Sequence, residues 1–199
     1  MIDYFTKIYS SIKNRNLFLT KIRFYSLLRV VVRQSANLIL PVYFHFTKEK
    51  FRLSEDKNNV DDGLIVSFTS FPARIKKVHL VVESILRQSV LPDRIILWLS
   101  KEQFPSEESL PKKLLEQKGR GLEIVICEGD LRSYKKFYYT VRDYPKSDFI
   151  IIDDDIFYPS DTIETLINFN KEYPNTVCFN RGHRSEEHTS ELQSHHDLV

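Results

Sequence analysis

The sequence predicts an α/β domain built on a mainly parallel, Rossmann-like sheet, and three observations carry that prediction. Short apolar runs rich in β-branched residues recur at residues 64–68, 95–99, 122–127 and 149–152. Such runs read as strands buried on both faces, as in parallel sheets covered by helices. Segments with apolar residues at helical spacing separate them, so strands and helices alternate along the chain. With 199 residues, 42% of them hydrophobic, the chain is long enough for one core of this kind.

Residues 1–50 form the first region, a basic helical arm. They hold nine Lys/Arg against two Asp/Glu, a net of +7, while the rest of the chain nets −5. Over residues 17–46, apolar clusters alternate with Lys21, Arg23, Arg29 and Arg33. On a helical wheel Arg29, Arg33, Ser26 and Asn37 gather on one side, with Phe24, Leu27, Leu28, Val31, Val32 and Leu38 opposite. Pro41 is expected to end or kink this helix. A basic amphipathic helix suits an anionic membrane surface; the plainer alternative is a helix packed on its own domain. No nucleic-acid recognition motif accompanies the charge, so nucleic acid is not an expected partner. No run reaches the ~18 apolar residues of a membrane-spanning helix, and no secretory signal is recognised. The expected location is the cytoplasm, peripherally on the inner face of the cell membrane.

Residues 51–62 are polar and charged and read as a linker, after which Gly63 opens the main domain, expected over residues 63–183. After the first strand, Ile75, Val78, Val82, Ile85 and Leu86 recur at helical spacing, ending near Gln88. Pro92 and Asp93 turn the chain into the second strand. A polar segment with Pro105 and Pro111 leads to a helix around 114–118, stopped by Gly119 and Gly121. The third strand follows, then a helical pattern over 130–144, a turn at 145–148 and the fourth strand. Residues 161–173 read as a further helix, with Asp161 and Glu164 spaced as a capping box, and residues 176–179 as the start of a fifth strand. Cys127 and Cys178 each sit in an apolar run without metal-ligand spacing, as expected of buried thiols in a reducing compartment.

Three loops fall at carboxyl ends of strands, where open α/β sheets bind ligands. The fourth strand runs into Asp153, Asp154 and Asp155. Three successive carboxylates repel one another unless a cation or solvent compensates them. In an extended segment Asp153 and Asp155 point one way and Asp154 the other, and two hard oxygen ligands on one side suit Mg²⁺ or Mn²⁺ completed by substrate phosphates. The bland alternative is an acidic loop capping the next helix. After the first strand comes Ser67-Phe-Thr-Ser-Phe-Pro-Ala-Arg74, in which Thr69 and Ser70 offer hydroxyls, Pro72 fixes the turn and Arg74 can stack on a base or reach a phosphate. Helix capping by those hydroxyls is the competing reading. After the third strand comes Gly129-Asp-Leu-Arg-Ser-Tyr-Lys-Lys136. Gly129 permits a sharp turn, Ser133 can cap a helix, and Lys135 and Lys136 in its first turn fit a bound anion better than they fit the helix dipole; two solvated lysines are the alternative. On one sheet edge, the three loops make a nucleoside-diphosphate pocket.

Over residues 63–183 the chain resembles the nucleotide-binding half of GT-A-fold glycosyltransferases of the family-two-like bacterial kind. The resemblance rests on residues 67–74, on Ser84-Ile-Leu-Arg-Gln88, on Pro92-Asp-Arg-Ile-Ile-Leu97, on the loop from Asp130 to Lys135 and on Asp153-Asp-Asp155, which corresponds to the DxD element. It implies a nucleoside-diphosphate sugar as donor, a Mn²⁺ or Mg²⁺ ion, and a surface polysaccharide or glycolipid as acceptor. By the same likeness Asp155 binds the metal, Asp153 the metal or the ribose, and Asp154 belongs to the donor site. Thr69 and Arg74 would line the nucleoside and Lys135 the diphosphate. The family's general base comes from later in the chain, and no candidate for it is found. A sugar nucleotidyltransferase and a non-catalytic membrane-surface scaffold are the rival readings; the former usually has a glycine-rich phosphate loop, which residues 67–74 lack.

Arg184-Ser-Glu-Glu-His-Thr-Ser-Glu-Leu-Gln-Ser194 has no apolar period and matches the in-frame translation of a common sequencing adapter. Residues 184–199 are therefore expected to be a non-native tail, which would leave the domain incomplete and inactive. His188, His195 and His196 are not taken as metal ligands for that reason.

Overall fold

A computed structural model of the chain describes residues 1–12, 24–47, 53, 63–174 and 176–178. The expectations for residues 13–23, most of 48–62 and 179–199, including the tail, lie outside the described residues.

The domain is α/β, with four strands in one all-parallel sheet: β1 (Leu64–Thr69), β2 (Arg94–Ser100), β3 (Leu122–Cys127) and β4 (Asp148–Ile151), in the order β3-β2-β1-β4. β1, β2 and β3 are covered on both faces, whereas β4, expected to be buried in the same way, is half-buried at Phe149 and Ile150 and leaves Ile151 39% exposed because it lies at the sheet edge. On one face Val66, Phe68, Ile95, Leu97, Leu99 and Leu122 pack against α3 (Val78–Ile85), α4 (Lys112–Leu115) and α6 (Thr162–Glu172). On the other, Ile65, Ile96, Trp98 and Cys127 pack against Tyr139 of α5 (Lys135–Asp143). Winding outward from β1 to β3 and then back to β4 requires the last crossover to change face, because crossovers between parallel strands are right-handed. α5 sits on that opposite face. Cys127 is a free thiol, and burial pushes its pKa up, as in an inert core residue; Cys178 is half-buried and also free.

Several boundaries differ from expectation. Residues 130–134 are not α-helical: Gly129 and Arg132 both take left-handed backbone (φ 75° and 51°), and α5 begins only at Lys135. Residues 72–77 form turns, which delays α3 to Val78. Residues 176–178 form no strand, so β4 is an edge strand among the described residues. Asp161 precedes α6 without a side-chain capping bond, and Glu164 instead accepts a hydrogen bond from the Ser89 hydroxyl (2.7 Å).

The arm folds onto the domain. α1 (Ile2–Ser11) and α2 (Phe24–Thr47) pack together, and Ile2, Leu40 and Phe44 form a small core with Leu80 and Phe157. Pro41 lies inside α2 and does not end it. Proline forfeits its own N–H bond to the carbonyl four residues back; that residue, Asn37, is exposed, so water can satisfy the carbonyl. Within residues 51–62, read as a polar linker, Leu53 is an apolar anchor. It is buried, its amide donates to the Arg120 carbonyl (3.0 Å), and its side chain fills the space where a Cβ on Gly121 would stand.

A buried charge cluster fastens these parts. Glu83 of α3 pairs with Arg87 and Arg120 and accepts from Gln117. Arg87 in turn lies 4.5 Å from the Phe44 ring centroid and donates to the Thr47 hydroxyl (2.9 Å). Burial alone would raise the pKa of Glu83, but hydrogen bonds from Arg120 and Arg87 outweigh it and hold the carboxyl below its ordinary value. A depressed folded pKa contributes stability above the ordinary glutamate value and loses it as pH falls through the folded one. Glu83→Gln leaves two guanidinium groups without their counter-charge and is expected to cost about 3–5 kcal/mol. Urea denaturation at neutral pH measures this, and the deficit should shrink as the pH is lowered through the acid range.

Candidate functional site

The strand order puts the reversal of winding between β1 and β4. At such a switch point the loops leaving the carboxyl ends of the two strands diverge and open a crevice. The loop after β1, residues 70–77, and the loop after β4, residues 152–161, are the two that flank it.

β4 hands over to the second loop through the Ile152 amide, which donates to the Ser67 carbonyl (3.1 Å). The three aspartates follow as the chain turns. Asp154 faces inward, with 7% of its side chain exposed, whereas Asp153 and Asp155 are 60% and 48% exposed. Asp154 accepts from the Ser70 hydroxyl through Oδ2 (2.6 Å) and from the Arg74 guanidinium through Oδ1 (2.9 Å). The same Arg74 nitrogen lies 2.9 Å from Oδ2 of Asp155. Lys136 donates to Oδ1 of Asp153 (2.7 Å) and to the Ile152 carbonyl (2.9 Å). The cationic compensation that three successive carboxylates demand thus comes from Arg74 on one side and Lys136 on the other, in short charge-assisted bonds.

Each cation is held by its own support. Arg74 stands over the Phe71 ring, 5.1 Å from its centroid, in a turn closed by its amide donating to the Phe71 carbonyl (3.0 Å). Lys136 is positioned from beneath. The Trp98 indole N–H is shared by the hydroxyls of Ser67 and Thr140 (3.0 Å each), and both hydroxyls donate to the Lys136 carbonyl (2.6 and 2.8 Å). This buried network joins β1, β2 and the first turn of α5.

Gln88 and Tyr158 hold the triplet loop from behind. Gln88 donates to the Pro159 carbonyl (2.6 Å) and accepts the Ile163 amide (3.0 Å), tying the loop to the start of α6. The Tyr158 hydroxyl accepts the Asp153 amide (2.8 Å), and burial keeps its phenol protonated by pushing its pKa up. The Tyr158 amide donates to the Ser84 hydroxyl (3.2 Å). Ser84 and Gln88, which the sequence showed as the end of an apolar helix and as part of the family resemblance but with no role at the site, are thus the groups that anchor the acidic loop. Their signal was a serine and a glutamine on the buried side of that helix.

The remaining candidate residues are distributed as follows. The Thr69 hydroxyl donates to the Trp98 carbonyl (2.7 Å), joining β1 to β2. Neither Thr69 nor Ser70 caps α3, whose N-cap, Lys77, makes no side-chain bond; Ser133 does not cap α5, which starts after Tyr134. Lys135 lies apart from the triplet. It is 2% exposed and its ammonium donates to Oδ1 of Asp130 (2.6 Å), an oxygen that also accepts the Arg132 amide (2.8 Å). The Lys135 hydrogen bond holds the Asp130 carboxyl below its ordinary pKa. Neighbouring residues on a helix point about 100° apart, so Lys136 reaches the aspartates and Lys135 turns to the loop after β3.

As a metal site, the exposed pair Asp153 and Asp155 offers two hard carboxylates. Among the described residues no three His, Cys, Asp or Glu side chains converge on one point. Two carboxylates alone suit an ion whose shell is completed by water and substrate phosphate, which is the habit of Mg²⁺.

Replacing Gln88 by Ala orphans the Ile163 amide and is expected to cost about 1–3 kcal/mol. Hydrogen exchange should show faster exchange at Ile163 and at the Asp153 amide, with the strands unaffected.

Set against protein-family models, curated proteins and solved structures, the chain matches none of them.

Proposed function

We propose that this domain binds the nucleoside-diphosphate part of a sugar donor at the β1/β4 switch point and serves a glycosyltransferase of GT-A type, delivering the sugar to a glycan or glycolipid hydroxyl. The observation that carries the reading is the convergence of Asp153, Asp154 and Asp155 with Arg74 and Lys136 at the one place where a sheet of this order opens.

The charges favour it. Three carboxylates against two cations leave the cluster with one net negative charge. A divalent ion and the two negative charges of a nucleoside-diphosphate sugar together leave that balance unchanged. Each component also has a matching acceptor: carboxylates take hard cations, while a guanidinium and an ammonium take phosphate. Arg74 and Lys136 are then the groups that exchange carboxylate for diphosphate oxygen when donor binds. Asp153 and Asp155 would hold Mn²⁺ or Mg²⁺, with Asp153 also within the ribose-binding role, and Asp154 keeps Arg74 and Ser70 in place from its buried position. The ion would supply Lewis-acid neutralisation of charge on the leaving diphosphate. Arg74 and Lys136, fixed before the reaction, would stabilise the same developing charge without reorganising. Lys136 replaces Lys135 in this assignment, because Lys135 is buried against Asp130 in the loop after β3, away from the triplet.

Calorimetric titration with a panel of nucleoside diphosphates, with and without MnCl₂, tests the reading. Binding in the micromolar range that requires the metal is expected, abolished in Asp155→Ala and weakened at least tenfold in Lys136→Met. Superimposable titrations with and without metal would contradict it. Turnover of a nucleoside triphosphate with a sugar phosphate would instead identify a nucleotidyltransferase.

A further inference from the structure

The apolar stripe of the helical wheel does not face the domain. On α2 the side chains of Leu27, Val31, Leu38, Val42 and Phe46 are all more than half exposed, Leu38 and Phe46 at 73% and 80%. Their spacings of four and seven residues set them on one side of the helix, along about 28 Å at 1.5 Å per residue. The inward side is the one with the arginines. The Arg29 guanidinium donates to the Ile12 carbonyl (2.9 Å) and lies over the Tyr9 ring of α1, and Leu40 and Phe44 are buried farther along. α2 therefore spends part of its polar side on intramolecular contacts and presents its aliphatic side outward, the reverse of an ordinary surface helix.

Isolated exposed leucines need no explanation, but a continuous stripe of this length does. Its covering is indicated by charge. The stripe belongs to a region of fifty residues with a net charge of +7, on a chain whose remainder is net negative. A second copy of the chain meeting the first through α2 would bring two such regions together, since a two-fold contact places the same patch on both sides. A bilayer with anionic headgroups supplies both an apolar layer for the stripe and countercharge for its surroundings. No helix among the described residues is long and apolar enough to cross a membrane, so contact along the helix is the geometry available.

We propose that the outward face of α2 is an interfacial docking surface for anionic lipid, with the helix lying in the plane of the membrane. The surface is independent of the acidic triplet and of any nucleotide. It is nonetheless mechanically joined to that loop, because Phe44 packs edge-on against Phe157 (6.1 Å between centroids) and Asp3 of α1 accepts hydrogen bonds from the Ser160 amide and hydroxyl (2.7 and 2.9 Å).

The test is vesicle co-sedimentation of the full chain, without nucleotide, on phosphatidylglycerol–phosphatidylethanolamine and on pure phosphatidylcholine vesicles. At least tenfold tighter binding to the anionic vesicles is expected, weakening as NaCl is raised. The combined variant Leu27→Glu, Val31→Glu, Leu38→Glu should lose it while keeping the parent's circular dichroism and melting curve. A second variant reads the contact directly. The chain's single tryptophan, Trp98, is buried, so in Leu38→Trp a blue shift of emission on adding anionic vesicles reports insertion at the stripe. No preference for anionic vesicles, unaltered binding by the triple variant, or no shift in Leu38→Trp would overturn the proposal. So would light scattering that shows a dimer dissolved by the triple substitution, which would make a second copy the occupant.

Discussion

Three aspartates in immediate succession at the end of the edge strand β4 impose the constraint around which this molecule is arranged. Side by side they repel, and the chain answers with Arg74 reaching from the loop after β1 and Lys136 reaching from α5. Both answers depend on the sheet order. Only because β4 pairs with β1 does the loop carrying Ser70 and Arg74 stand beside the acidic turn. Only because α5 crosses on the opposite face does its first turn rise against the same edge. The Trp98, Ser67 and Thr140 network then fixes α5 at the height where Lys136 meets Asp153. Neutral, buried hydrogen bonds thus set the position of exposed charges, which is how an electrostatic site can be prepared without a ligand to organise it.

The amino-terminal helices add a second constraint. The arm is bound to the domain at two places that both matter to the site: the buried Glu83, Arg87 and Arg120 cluster behind α3, and the contacts of Phe44 and Asp3 with the segment that follows the aspartates. Anything that holds α2 therefore also holds the rear of the acidic loop. The outward stripe and the triplet are separate surfaces connected by a few packed residues, and a membrane-bound orientation would fix how the crevice is presented.

Much of the fold was legible because burial writes itself into composition. The run from Leu122 to Cys127 is a strand with the expected limits, since both of its faces are covered. What escaped was set by single backbone angles and by rotation about helices. Left-handed Arg132 removes five residues from a helix that their composition would allow. One step along α5 exchanges the roles of Lys135 and Lys136, which no pattern of adjacent lysines distinguishes. Pro41, expected to end or kink the helix, does not end it: Leu40 and Phe44 are buried on either side of it and α2 runs on to Thr47. Thr69 and Ser70 do not cap because tertiary partners, the Trp98 carbonyl and Asp154, outbid the nearby amides, and Ser133 does not because α5 starts two residues later. In contrast, the acidic triplet and Arg74 stood out in the sequence because their chemistry is costly unless compensated. That Gln88 holds the loop did not show, although residues 84–88 carry part of the resemblance, because a helix pattern hides which polar residue turns inward.

The most direct measurement of the central claim is anomalous diffraction from crystals grown with Mn²⁺ and a nucleoside diphosphate. A manganese peak between the carboxylates of Asp153 and Asp155, with the diphosphate against Arg74 and Lys136, is the predicted result. A nucleotide bound elsewhere on the sheet, or a crevice in which Arg74 stays on Asp155 and Lys136 on Asp153 at saturating metal and nucleotide, would contradict it.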